Sequence, residues 1–99
     1  MTETPEKPLF IPLNAEWFDA FERGDKREEY RPSGGRWNDR TCRPGRRVTL
    51  SRGYGKQQRL HGVITGFRID VDPCALPAWR SLYGDRGPAA VITIELDRA

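Results

Sequence analysis

Hydrophobic residues fall in short runs along this chain, and the period of each run predicts its element. Leu9 to Leu13 reads as a first strand, with Pro12 near its end, where a missing amide donor does least damage; this places the strand at a sheet edge or end. From Ala15 to Arg23 the spacing turns helical: Trp17, Phe18 and Phe21 gather on one side, with Glu16, Asp19 and Glu22 beyond them. Asn14 is placed to cap this helix, Leu13 to pack on Phe18 as a staple, and Gly24 to end it in the left-handed conformation. Arg27 to Arg31 predicts a second strand, stopped by Pro32 and Gly34-Gly35. Alternation there puts Arg27, Glu29 and Arg31 on one face and Glu28 and Tyr30 on the other.

Further along, Trp37 to Arg40 suggests one short helical turn. Arg46 to Ser51 alternates as a strand whose apolar face carries Val48 and Leu50 and whose polar face carries Arg47, Thr49 and Ser51. Arg52-Gly53-Tyr54-Gly55 predicts a tight hairpin, and Leu60 to Val71 a long strand bent at Gly62 and Gly66. Asp72-Pro73 and Leu76-Pro77 open a second short helix carrying Trp79, Leu82 and Tyr83 and ended by Gly84. The β-branched run within Ala89 to Leu96 then closes the sheet. The expected fold class is α+β: a small, mixed, mostly antiparallel β-barrel of five or six strands with two or three short helices. Residues 1–8 predict a flexible tail and residues 9–99 a single domain.

Composition narrows the function classes. No apolar run approaches the ~20 residues of a membrane helix, and an N-terminus holding Glu3 and Glu6 has no signal-peptide plan, so a cytoplasmic location is expected. Cys42 and Cys74 are expected to be free thiols. His61 is the only histidine, and no ligand spacing points to a metal or another cofactor. Residues 40–68 contain eight cations (Arg40, Arg43, Arg46, Arg47, Arg52, Lys56, Arg59 and Arg68) and no acid, whereas the rest of the chain is net acidic. Such a block suits an anionic partner such as RNA, DNA or a nucleotide, because clustered cations displace counterions from phosphates. Arginines spread over alternating strand faces would instead make no single patch.

The octet Gly24-x-Lys26-x-x-Glu29-Tyr30-Arg31, followed by Trp37, Arg40 and Gly53-Tyr54, resembles the ASCH domain family of the PUA-like superfamily. The likeness extends upstream to Phe10-Ile11-Pro12-Leu13 and Trp17-Phe18-Asp19-Ala20, and downstream to Val91–Leu96, covering most of residues 9–96. It implies a PUA-like barrel with a groove beside it that binds RNA or a nucleotide. It also allows a small hydrolase, either an amidohydrolase of acetylated cytidine or a ribonuclease.

On the binding reading, Lys26, Arg31, Arg40 and Arg52 hold phosphate or a base edge, Trp37 or Tyr54 stacks on a base, and Glu29 orients Arg31 or accepts from an exocyclic amine. On the hydrolase reading, Lys26 is the nucleophile or base, Glu29 orients it, and Tyr54 supports charge on phosphate. The acetylcytidine hydrolases carry threonine where this chain has Glu29, so their catalytic set is incompletely matched. Each residue also has a structural alternative: Glu29 and Arg31 as an ordinary charge pair, Trp37 as a lid over the barrel end, and Tyr54 as a cover of its rim.

Overall fold

The computed structural model describes residues 7–55, 58–71 and 88–97. They form five strands and one helix in the order β1 (Leu9–Leu13), α1 (Ala15–Arg23), β2 (Glu28–Pro32), β3 (Arg47–Arg52), β4 (Arg59–Asp70) and β5 (Ala89–Leu96). A single sheet runs β1-β3-β4-β5-β2. The β1/β3 pair is parallel and the other three pairs are antiparallel. The sheet curls into a half-barrel whose two edges are β1 and β2.

This corrects the expected barrel with two or three helices. Among the described residues there is one helix, α1. The turn expected at Trp37 to Arg40 is displaced to residues 38–42 and is a single i→i+4 turn that does not continue into a helix. Asn38 starts it, its side-chain oxygen accepting from the amides of Arg40 (3.0 Å) and Thr41 (2.9 Å) and its carbonyl from the Cys42 amide (2.9 Å). Asparagine competes for nearby backbone donors in this way, which favours a turn over a helix interior. The second helix expected after Asp72 falls in residues 72–87, outside the described residues.

Local chemistry explains why the elements stand where they do. The Asn14 side chain accepts from the Trp17 amide at 2.9 Å, and Gly24 closes α1 at φ 87°, a conformation that suits a residue without Cβ. The helix lays Phe18 and Phe21, each about 1% exposed, on the inner face of the sheet against Leu9, Ile11, Leu13, Val48, Leu50, Ile64, Ile92 and Ile94. Full burial of each ring stabilises the fold by roughly 1.5–3 kcal/mol. Pro12 sits in an edge strand, as its missing donor requires. Ser51 departs from the simple alternation of β3: it is fully buried, and its hydroxyl donates to the Gly55 carbonyl at 3.0 Å. At Gly62 the β5 backbone passes so close that a Cβ would lie 2.5 Å from the Glu95 carbonyl oxygen, so the ladder there admits only glycine.

Candidate functional site

The turn from α1 into β2 builds the most unusual cluster among the described residues. After Gly24, the Ala20 carbonyl accepts from the amides of both Asp25 (2.9 Å) and Lys26 (3.2 Å), which fixes the chain as it leaves the helix. The half-buried Lys26 side chain then lies among three rings, with Nζ 5.2 Å from the centre of Trp17, 5.6 Å from Phe21 and 5.0 Å from Tyr30. Glu29 Oε1 is 3.9 Å away. Burial is the largest influence on this ammonium and pushes its pKa below the usual lysine value; Glu29 and then Glu28 pull it back, and Arg31 adds to the lowering.

Glu29 is itself buried and uses both carboxylate oxygens. Oε1 accepts from the Tyr30 amide at 3.2 Å, and Oε2 accepts from Arg31 through Nε (3.0 Å) and a terminal nitrogen (2.8 Å). That same nitrogen of Arg31 donates to the Pro12 carbonyl. Arg31 therefore joins β2 to β1, the two strands at opposite edges of the sheet. Trp37 stacks on its guanidinium at 4.9 Å and on that of Arg36, also at 4.9 Å, while Arg36 donates to the Phe10 carbonyl at 2.8 Å. Carbonyls two residues apart on one edge of β1 are thus satisfied by arginines rather than by another strand.

Of the residues singled out in the sequence, Lys26, Glu29, Arg31 and Trp37 join in one chain of contacts. Arg52 is placed elsewhere, 3.4 Å from Asp19 of α1. Arg40 lies on the turn after Trp37 and takes part through its backbone, its amide donating to Asn38 and its carbonyl accepting from Arg43. Tyr54 stands at the tip of the β3/β4 hairpin and is 84% exposed. The basic block likewise disperses. Arg47 pairs with Asp97, Arg68 approaches Glu28 at 3.6 Å, Arg46 donates to the Thr41 carbonyl at 2.7 Å, and Arg59 lies over Phe10 at 5.4 Å. Among the described residues these side chains reach partners on different elements, and no basic cleft forms from Arg31, Arg40 and Arg52. Lys56 lies outside the described residues.

Arg36, and the way Trp17, Phe21 and Tyr30 surround Lys26, carry no local signal in the sequence. The i, i+4 spacing of Trp17 and Phe21 was visible, but nothing local indicated that Tyr30 would complete the set. Beside Lys26 a groove of about 340 Å³ is lined by Phe21, Lys26, Arg27, Thr65, Thr93 and Glu95, among others. Its lining carries two cations, two threonines, one carboxylate and an apolar wall. The buried Cys42 is a free thiol whose pKa burial raises, which makes it a poor nucleophile; Cys74 lies outside the described residues. Among the described residues no group of His, Cys, Asp or Glu is arranged to hold a metal ion, and no helix is long and apolar enough to cross a membrane. Compared with protein-family models and with curated proteins, the chain matches none.

Proposed function

We propose that this protein is a cytoplasmic RNA- or nucleotide-binding domain of the ASCH type, and that its ligand lies in the groove beside Lys26. The groove itself is the observation that carries this reading, because it sets Lys26 and the exposed Arg27 beside Thr65 and Thr93, with Glu95 the one acid in its lining. Cations act on phosphate through charge, and hydroxyls hold sugar or phosphate oxygens. The contacts redistribute the roles expected from sequence. Arg31 is committed to Glu29 and Pro12, and Arg52 to Asp19, so direct phosphate contact falls to Arg27 while Lys26 contributes its field from the wall. Tyr54, exposed between two glycines, is the free stacking surface for a neighbouring base.

Fluorescence anisotropy of a short labelled single-stranded RNA, titrated with salt, tests this. Affinity should fall steeply with salt as phosphate contacts release counterions. Arg27→Ala should weaken binding to every sequence alike and flatten the salt slope by about one unit. Affinity that is absent at low salt, or that Arg27→Ala leaves unchanged, removes the reading.

A second reading, lysine-dependent hydrolysis of a modified nucleoside or of RNA, draws on the lowered pKa of Lys26 and on Glu29 at 3.9 Å. Both oxygens of Glu29 are already engaged, which leaves it little freedom to relay a proton. Turnover of acetylated cytidine is therefore expected to be weak or absent. Robust turnover that Lys26→Ala abolishes would favour the hydrolase over the binder.

A further inference from the structure

A cation within about 6 Å of an aromatic ring centre is drawn to the ring face, and several rings backed by a carboxylate are the chemistry that recognises alkylammonium ions. Trp17 and Phe21, one turn apart on α1, and Tyr30 on β2 all lie 5.0–5.6 Å from a single nitrogen, with the 6%-exposed Glu29 behind it. Packing of α1 against the sheet brings the two elements together, and the turn closed on the Ala20 carbonyl sets the lysine between them. The rings do more than fill the core: Phe21 is buried, but Trp17 and Tyr30 keep part of their surface and cover the ammonium with the rest.

We propose that Trp17, Phe21, Tyr30 and Glu29 form an ammonium-binding site that the chain fills with its own Lys26, and that the site accepts a free primary alkylammonium ion once that side chain is removed. Tethering explains why Lys26 is the resident. Its backbone is held two residues beyond the helix cap, so its effective concentration at the rings far exceeds that of a dissolved amine. The adjoining groove, lined by Phe21, Gly24 and Lys26, gives a small ion a way in. The proposal stands apart from the nucleotide-binding reading and needs no RNA for its test.

Lys26→Ala keeps Cβ and removes three carbons and the ammonium, the atoms of n-propylammonium, which is therefore the probe. Thermal unfolding of Lys26→Ala in up to about 0.1 M propylammonium chloride should show a melting temperature raised by about 2–4 °C over equal sodium chloride or 1-propanol. Wild type and Lys26→Met, whose sites are filled, should not respond. No shift in Lys26→Ala, or an equal shift in all three proteins, overturns the proposal. If Lys26→Ala does not fold, the Lys26 ε-methylene protons of wild type decide the matter by NMR: under three rings they resonate well upfield of ordinary lysine, and unshifted signals overturn the proposal.

Discussion

The stretch from Lys26 to Trp37 and the β3/β4 hairpin hold the same ingredients, cations beside aromatic rings, and use them in opposite ways. In the first, Lys26 is ringed by Trp17, Phe21 and Tyr30, Arg31 is bonded to Glu29 and Pro12, and Trp37 is stacked by two guanidiniums. In the second, Arg52 turns back to Asp19 and leaves Tyr54 alone at the tip, 84% exposed. Residue type thus does not separate a packed cluster from an exposed one. The separating feature is whether each charge and ring face already has a partner inside the fold. Arg31 ties the two edge strands of the half-barrel together, whereas the Tyr54 ring is left exposed at the hairpin tip.

Glu29 offers the strongest way to break this contrast. It is the shared acceptor of the cluster, so Glu29→Ala leaves Lys26 and Arg31, with side chains 16% and 18% exposed, without their carboxylate. Breaking a buried pair from one side costs about 3–5 kcal/mol, and partial solvent access here reduces that to about 2–4 kcal/mol. Urea unfolding would measure it; a loss below about 0.5 kcal/mol would mean that the cluster is not structural. Arg31→Ala comes next, at about 2–3 kcal/mol, because it takes both Arg31 donors from Glu29 Oε2 and removes the donor to the Pro12 carbonyl. The double variant should lose less than the sum of the two, with a coupling of about 1–2 kcal/mol.

Arg36→Ala should cost less, about 0.5–1 kcal/mol, since its exposed guanidinium gives up one bond to Phe10 and one ring contact. Lys26 adds a pH dependence whose sign follows from its lowered pKa. Between that folded value and the ordinary 10.5, the unfolded chain binds more protons than the folded one, so the lysine's contribution to stability rises with pH. Wild type should therefore gain on Lys26→Met as the pH rises toward 10.5. A difference that stays flat would mean that the rings and Glu29 cancel the effect of burial.

How much of this arrangement the sequence foretold depends on the distance over which each feature is decided. Asn14 and Gly24 were legible because caps depend on a few neighbouring residues. The shared face of Glu29 and Arg31 was legible because strand alternation is local, and Pro12 at an edge followed from its missing donor. Whether β1 and β2 would meet to close a barrel depends on the curl accumulated over the whole sheet, which no single run records. Arg31 reaching Pro12 and Arg36 reaching Phe10 belong to that scale. The basic block is decided on the same scale: among the described residues Arg47, Arg52 and Arg68 reach acids, Arg43 and Arg46 reach carbonyls and Arg59 lies over a ring, on separate elements.

Tyr54→Ala gives the smallest expected effect on stability and for that reason is the sharpest probe of the hairpin. A side chain 84% exposed buries little area, and Gly53 already holds the turn at φ 71°, so unfolding by urea should change by no more than about 0.5 kcal/mol. Stacking of a base on the phenol ring is worth about 1–3 kcal/mol, so the same variant should weaken RNA binding roughly 5- to 150-fold. Tyr54→Phe should keep most of the affinity, because a ring face stacks with or without its hydroxyl. Binding lost without stability assigns the hairpin to the ligand. Stability lost in step with binding would place Tyr54 with the packed cluster at Lys26 and end the distinction between the two regions.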